Sequence, residues 1–361
     1  MLVVTPDFPP GIGGIQTLLH GVVSGWQRLD PLVVTPAVPG ADEFDRDQPL
    51  AIERVRVPPR MPHVASIAAL NGAAIRNAVR FRPDAVLSGH IVVGPAALSI
   101  SRSLGTPIAQ YVYGREATAR PRLASLSLRR ADAVLAISGY TTRLALECGA
   151  PQTRVHTIPP GIPAPVSGAR HRGAEPTIVV VSRLSDRYKG HDVLLQALPL
   201  VHERVPAARL VVVGDGRLRH VYEELVATLG IAGSVDFVGA VDDAARDRIL
   251  ARAAIFAMPS RLERKQDGEG FGIVYLEASA HGLPVVAGAA GGAVEAVVHQ
   301  ETGLLVDPTD HRAVAGALVL LLEDRDLAER MGRAGAARAT SFSREAVSRR
   351  VEDVLIELVA R

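Results

Sequence analysis

The chain has 361 residues, 48% hydrophobic and 22% charged, which suits two domains with real cores and excludes a disordered chain. Its single cysteine, Cys148, excludes an intrachain disulfide and a zinc ribbon. The formal charge of +2 points to no nucleic-acid partner, yet 38 of the 40 basic residues are Arg and only Lys189 and Lys265 are Lys.

From the N-terminus, short apolar runs alternate with helical patterns. Strands are predicted at residues 2–5, 32–35, 85–88, 107–112, 133–138 and 155–158, and helices at 15–29, 67–81 and 140–148. The apolar run at 1–5 is too short for a signal peptide, and no stretch reaches the ~18 apolar residues of a membrane span. A cytoplasmic protein, peripheral on the inner face of a membrane at most, is therefore expected. Pro159, Pro160, Pro163 and Pro165 stop helix and central strand alike, and polar residues follow, so residues 160–176 read as a linker.

The alternation then restarts. Strands are predicted at 177–182, 209–213, 235–238, 254–258, 284–287 and 303–306, and helices at 192–203, 218–229, 243–252 and 273–281. Helices at 312–323, 326–337 and 345–359 close the chain. Repeated strand–helix order implies parallel sheets covered on both faces. The fold class is α/β, with two doubly wound Rossmann-like domains at 1–165 and 166–344.

Charge divides unevenly. Residues 1–170 carry six more basic than acidic residues, and residues 171–361 carry four more acidic than basic ones. Chance is one reading. The other is an anionic partner for the first half, such as lipid headgroups. Arg120, Arg122, Arg129 and Arg130 surround an amphipathic stretch suited to that contact. Asp42, Glu43, Asp45 and Asp47 read as a solvated loop.

Two glycine-rich loops follow strands without completing a dinucleotide fingerprint. Gly11, Gly13 and Gly14 precede a helix starting at Gly14 or Ile15, but Gln16 stands where a third glycine belongs. In the second, Gly214 and Gly216 are followed by Arg219 at that place. The loop after the strand at 177–182 carries Arg183 and Lys189, a planar fork and a point charge suited to a diphosphate. Farther on, Gly268, Gly270 and Gly272 open a helix whose N–H groups form an anion or hydroxyl cradle. Glu269 lies in that loop and Glu277 about one turn into the helix, so the two carboxylates suit two ends of an elongated, hydroxyl-bearing ligand.

The Glu269-x7-Glu277 spacing, the Gly270-Phe271-Gly272 between them and the Arg183…Lys189 loop resemble retaining glycosyltransferases of family 4, which have the GT-B fold. The likeness spans most of the chain. It includes residues 9–14, 130–138, 158–162 and 301–306, and is similar in feel to actinobacterial phosphatidylinositol mannoside-type mannosyltransferases. The resemblance implies two domains facing across a cleft, with the helix at 345–361 packing back on the first. It implies that Arg183 and Lys189 bind the donor diphosphate, Glu269 the sugar hydroxyls and Glu277 the ribose. Backbone groups from Gly270 through Phe271 and Gly272 to Ile273 would support sugar and phosphate, and Gly13 and Gly14 would approach phosphate or acceptor. No cofactor and no metal are expected, because the protein's cations take that role.

Three departures from the family pattern stand out. Its His-Gly motif reads Tyr113-Gly114 here, leaving Tyr113 and His90 as candidates for the histidine's place. The usual Asn-Gly-Val-Asp junction reads Pro160-Gly161-Ile162-Pro163. The Arg183-to-Lys189 loop is one residue longer, with Arg187 as an alternative cation. The expected partners are a nucleotide-diphosphate sugar, GDP-mannose before UDP-glucose or UDP-N-acetylglucosamine, and a hydroxyl acceptor on a lipid, glycan or small molecule. A non-catalytic nucleotide- or lipid-binding subunit and a sugar-nucleotide epimerase are the alternatives. The broken fingerprints argue against a nicotinamide oxidoreductase.

Overall fold

The computed structural model describes residues 1–58, 61–163, 175–263 and 267–360. Lys265 and linker residues 164–174 lie outside the described residues. The chain divides into two compact units, residues 1–161 with 344–361, and residues 162–343.

The first unit holds a seven-stranded parallel sheet. Its strands are β1 (Leu2–Val4), β2 (Leu32–Pro36), β3 (Ala51–Val55), β4 (Val86–Ser88), β5 (Ile108–Val112), β6 (Ala133–Ala136) and β7 (Val155–Thr157), in the order β3-β2-β1-β4-β5-β6-β7. The central strands are short, apolar and buried, as a sheet covered on both faces requires. Between them run α1 (Gly14–Ser24), α2 (Ala41–Arg46), α3 (His63–Phe81), α4 (Gly94–Leu104), α5 (Arg115–Ala119), α6 (Pro121–Leu128) and α7 (Gly139–Glu147). Leu2, Val4, Val34, Val86, Leu70 and Ile100 pack strands against α3 and α4 in one core cluster.

Several predicted boundaries move for local reasons. The strand predicted at 133–138 stops at Ala136, because Ser138 turns to cap α7. Its hydroxyl accepts the Thr141 N–H while the Thr141 hydroxyl accepts the Ser138 N–H. β3 was not predicted, since its half-exposed edge sequence Ala-Ile-Glu-Arg-Val is not an apolar run. The acidic stretch read as a solvated loop is instead the helix α2, entered from Gly40 in a left-handed conformation. Its Asp45 forms a salt bridge at 2.7 Å with Arg54 of β3, whose side chain is only 6% exposed.

The second unit repeats the plan. Strands β8 (Thr177–Val181), β9 (Arg209–Val213), β10 (Val235–Gly239), β11 (Ile255–Met258), β12 (Val285–Gly288) and β13 (Gly303–Val306) form a parallel sheet in the order β10-β9-β8-β11-β12-β13. Its helices are α8 (His191–His202), α9 (Arg219–Thr228), α10 (Asp243–Arg252), α11 (Ile273–Ala280), α12 (Ala293–Ala296), α13 (His311–Glu323) and α14 (Arg325–Ala339). Asp242, Asp310 and Asp324 cap α10, α13 and α14 by accepting backbone N–H bonds.

The chain then re-enters the first unit as α15 (Arg344–Val359), which packs on α1. The Ser348 hydroxyl donates to the Val22 carbonyl at 2.6 Å. The buried Glu352 carboxylate accepts the backbone N–H groups of Gln27 and Arg28, just past the end of α1. No helix among the described residues is long and apolar enough to cross a membrane.

Candidate active site

In both sheets the strand order reverses beside the first strand. Ligands of doubly wound sheets bind outside the carboxyl ends of the strands at that point. In the second unit the reversal lies between β8 and β11, so the loop after β8 and the loop after β11 flank the crevice. The first loop carries Arg183 and Lys189, and the second carries Glu269.

The two loops meet. Gly190 follows Lys189 with φ 77°, and a Cβ there would lie 2.1 Å from the Pro259 carbonyl oxygen, so only glycine permits this approach. The Lys189 ammonium forms a hydrogen-bonded ion pair with Glu269 Oε2, both side chains 13% exposed. Burial alone would lower the lysine pKa. The Glu269 carboxylate outweighs it and holds Lys189 above the usual lysine range. Arg183 sits differently, 67% exposed and 4.0 Å from the Asp186 carboxylate. Sequence reasoning sent Lys189 and Glu269 to different parts of a ligand; the fold joins them into one unit.

A second close approach supports this loop. The Gly292 N–H donates to the Glu269 carbonyl at 2.8 Å. A Cβ on Gly292 would lie 2.1 Å from the Gly270 carbonyl oxygen. Thus the turn after β12 buttresses the Glu269–Gly270 backbone. Phe271 is buried, its ring 5.9 Å from that of Phe342. Gly272 precedes α11, which starts at Ile273 with no side-chain cap; the Tyr275 N–H of its first turn donates to the Gly272 carbonyl at 3.0 Å.

Glu277, one turn into α11, lies 3.9 Å from the Arg246 guanidinium of α10. Arg246 also bridges Asp243 at 2.9 Å. Sequence reasoning did not single out Arg246; the only hint was the Asp243-x-x-Arg246 spacing at a helix start. His191 was also missed. Its Nε2 lies 3.1 Å from the Ser182 hydroxyl, at the other end of the Arg183–Lys189 loop.

In the first unit the reversal lies between β1 and β4. Gly13 is the N-cap of α1 and Gly14 its first residue. Gln16 donates from Nε2 to Asp7 Oδ1 at 3.0 Å across the glycine loop. His90 follows β4, and its Nδ1 accepts the Val92 N–H at 3.2 Å. Burial first, then Arg120 and His63, push His90 down to about 4, so at neutral pH it is uncharged with its proton on Nε2.

Tyr113 follows β5. It is buried, stacks on Tyr111 at 5.4 Å, and its hydroxyl has no partner among the described residues. Burial raises its pKa well above the tyrosine range. Its N–H donates to Glu116, whose carboxyl burial pushes up to about 7. Of the two candidates for the histidine's place, both therefore keep a proton to donate, and neither is a ready base. Arg120, Arg122, Arg129 and Arg130 stand exposed around α6. Among the described residues no group of three His, Cys, Asp or Glu side chains could hold a metal ion.

Comparison with known proteins bears on this arrangement. Residues 12–164 match the family profile described as Glycosyltransferase Family 4, and residues 168–338 the profile described as Glycosyl transferases group 1. Over 359 residues, covering 93% of this chain and 92% of the relative, the chain is 37% identical to the GDP-mannose-dependent alpha-(1-6)-phosphatidylinositol monomannoside mannosyltransferase of Mycolicibacterium smegmatis. Two solved structures share its fold. Anabaena Alr3699/HepE in complex with UDP-glucose superposes with a TM-score of 0.82 at 20% identity, covering 99% of this chain and 100% of that one. Sucrose-phosphate synthase from Thermosynechococcus elongatus gives 0.83 at 22% identity, covering 99% and 98%. Two Rossmann-like sheets with this strand order, matched along nearly the whole chain, leave one assignment: the chain belongs to glycosyltransferase family 4 and is an enzyme that transfers a sugar from a nucleotide sugar.

Proposed function

We propose that the enzyme transfers mannose from GDP-mannose, with retention of the anomeric configuration, to a hydroxyl of a phosphatidylinositol mannoside-like lipid. The observation that carries this reading is the Lys189–Glu269 pair at the strand-order reversal of the second unit, in a chain 37% identical to a relative named for that donor and acceptor class.

The roles follow from the chemistry of the groups. Arg183 and Lys189 bind the diphosphate, and the start of α11 adds N–H donors. As the bond between the sugar's C1 and the phosphate oxygen breaks, its electron pair leaves with GDP, and these groups stabilise the growing charge. Glu269 holds sugar hydroxyls while keeping Lys189 protonated, and Glu277 accepts from the ribose. The acceptor oxygen bonds to C1 on the face that the phosphate leaves, and its proton passes to the leaving phosphate oxygen. No protein nucleophile is invoked, and the protein's cations serve where a metal would otherwise neutralise the diphosphate. Contact with an anionic membrane through the arginines around α6 would bring the enzyme to its acceptor.

The test is a panel of GDP, UDP, GDP-mannose, UDP-glucose and UDP-N-acetylglucosamine, read by thermal shift and by turnover. A ligand at 100 times its Kd stabilises by about 2.7 kcal/mol. Stabilisation by GDP over UDP, with an α-linked product seen in its anomeric proton signal, supports the reading. Preference for UDP, or an inverted product, sinks it.

A further inference from the structure

We propose that His191 is a positioning residue of the donor site: bonded to Ser182, its imidazole ties together the two ends of the loop that carries Arg183 and Lys189. This rests on the donor-site reading above.

The loop leaves β8 at Ser182 and ends at Gly190, where α8 begins. Its start is pinned by the backbone: the Ser182 N–H donates to the Val213 carbonyl at 3.0 Å, and the Leu184 N–H to the Asp215 carbonyl at 2.9 Å. Its end is pinned to the loop after β11, where the Arg261 N–H donates to the Tyr188 carbonyl at 2.8 Å. These anchors hold each end to a different neighbour. Among the described residues, the two ends themselves are joined by the 3.1 Å hydrogen bond between Ser182 Oγ and His191 Nε2.

The imidazole suits this role better than a packing role. His191 is 3% exposed and stacks on Tyr222 with ring centres 5.2 Å apart. Its Nδ1 is buried with no partner among the described residues. A buried polar atom without a partner costs free energy that an apolar ring of the same shape would avoid. The nitrogen that is satisfied is the one that reaches Ser182. Burial first, then Lys189, push the imidazole down to about 3, so it stays neutral beside the lysine and adds no charge. The distance between Arg183 and Lys189 sets how a diphosphate is gripped, and small misplacements of such groups are costly. Closing the loop before the donor arrives removes that ordering cost from binding.

The experiment compares His191→Asn with His191→Gln. The Gln amide reaches the position of the imidazole Nε2, whereas the Asn amide reaches only that of Nδ1. Both variants lose the stack on Tyr222, so both lower the melting temperature to a similar degree. If His191 positions the loop, His191→Asn raises the donor KM by about fivefold to tenfold, the loss of one buried hydrogen bond, with a smaller change in kcat. His191→Gln restores the KM to within about twofold of wild type. Ser182→Ala raises the KM like His191→Asn, and the double variant Ser182→Ala/His191→Asn is no worse than either alone. Equal KM values for the Asn and Gln variants, or additive effects in the double variant, overturn the proposal while leaving the donor-site reading in place. A wild-type enzyme with no saturable turnover of any nucleotide sugar in the panel overturns both.

Discussion

The Lys189 ammonium and the Glu269 carboxylate, 80 positions apart in the chain, form one ion pair where the loops after β8 and β11 meet. Neither group belongs to a solvated surface, since each side chain is 13% exposed, and the carboxylate holds the lysine above its usual range. Removing one leaves the other mostly buried without its partner, which costs more than the pair itself contributes.

A set of variants separates catalysis from stability here. Lys189→Ala is expected to lower kcat by about 10²–10³-fold, as does losing one donor to developing charge. It also destabilises, by up to about 3 kcal/mol, because Glu269 is stranded. Adding Glu269→Gln to Lys189→Ala should restore most of the melting temperature and none of the turnover. A double variant that regains turnover would remove Lys189 from the donor site.

Close backbone approach makes a second prediction. Gly190→Ala places a Cβ 2.1 Å from a carbonyl oxygen at φ 77°. The two loops must separate, so the melting temperature falls and the donor KM rises together. Gly230→Ala is the control for the conformation alone. Its φ is 69° and its added Cβ meets nothing within 4 Å, so it should cost about 1 kcal/mol and leave KM unchanged.

Arg54 predicts a purely structural effect. Its guanidinium spans Asp45 of α2 and the carbonyls of Pro9 and Pro36. Arg54→Ala should destabilise by about 3–5 kcal/mol in denaturant unfolding, as breaking a buried pair does. With the donor bound in the other unit, as proposed, its KM should not move.

Glu116 gives a pH dependence whose sign is defined. Its folded pKa, about 7, lies above the ordinary carboxyl value of 4.5, chiefly through burial. Between those values the native state holds a proton that the unfolded state has lost, so stability falls as pH rises from about 4.5 to 7. His90 and His191 act oppositely. Burial depresses them to about 4 and about 3, so their contribution is lost as pH falls below about 6.5. Glu116→Gln removes only the first slope. The melting temperature of the variant relative to wild type should therefore climb from pH 5 to pH 7.5, and a flat or falling difference would overturn the assignment.

Much of the fold was legible from local pattern. The apolar runs became parallel strands at the predicted places, buried where neighbours and helices cover both faces and only partly buried at the sheet edges β7 and β10. Other elements were not legible. β3 is an edge strand, stabilised by its neighbour rather than by its own composition, and α2 is a short acidic helix held through Asp45 and Arg54. Arg183, Lys189, Glu269 and Glu277, the residues proposed for the donor, stood out by type and spacing. Arg246 and His191 did not, since each gains its place from a side chain distant in sequence or across a loop.

Two lysines stand among forty basic residues in a chain whose formal charge is near neutrality. Sequence by itself determined two doubly wound sheets, the glycine loops and which residue types carry the charge, because these depend on periodicity and local backbone chemistry. It also marked Lys189 as unusual and set it, with Arg183, on a loop suited to a diphosphate. Only the tertiary structure decided that Lys189 is already engaged with Glu269. That contact depends on strand order, which sets β8 beside β11 and so brings two loops together that no local pattern connects.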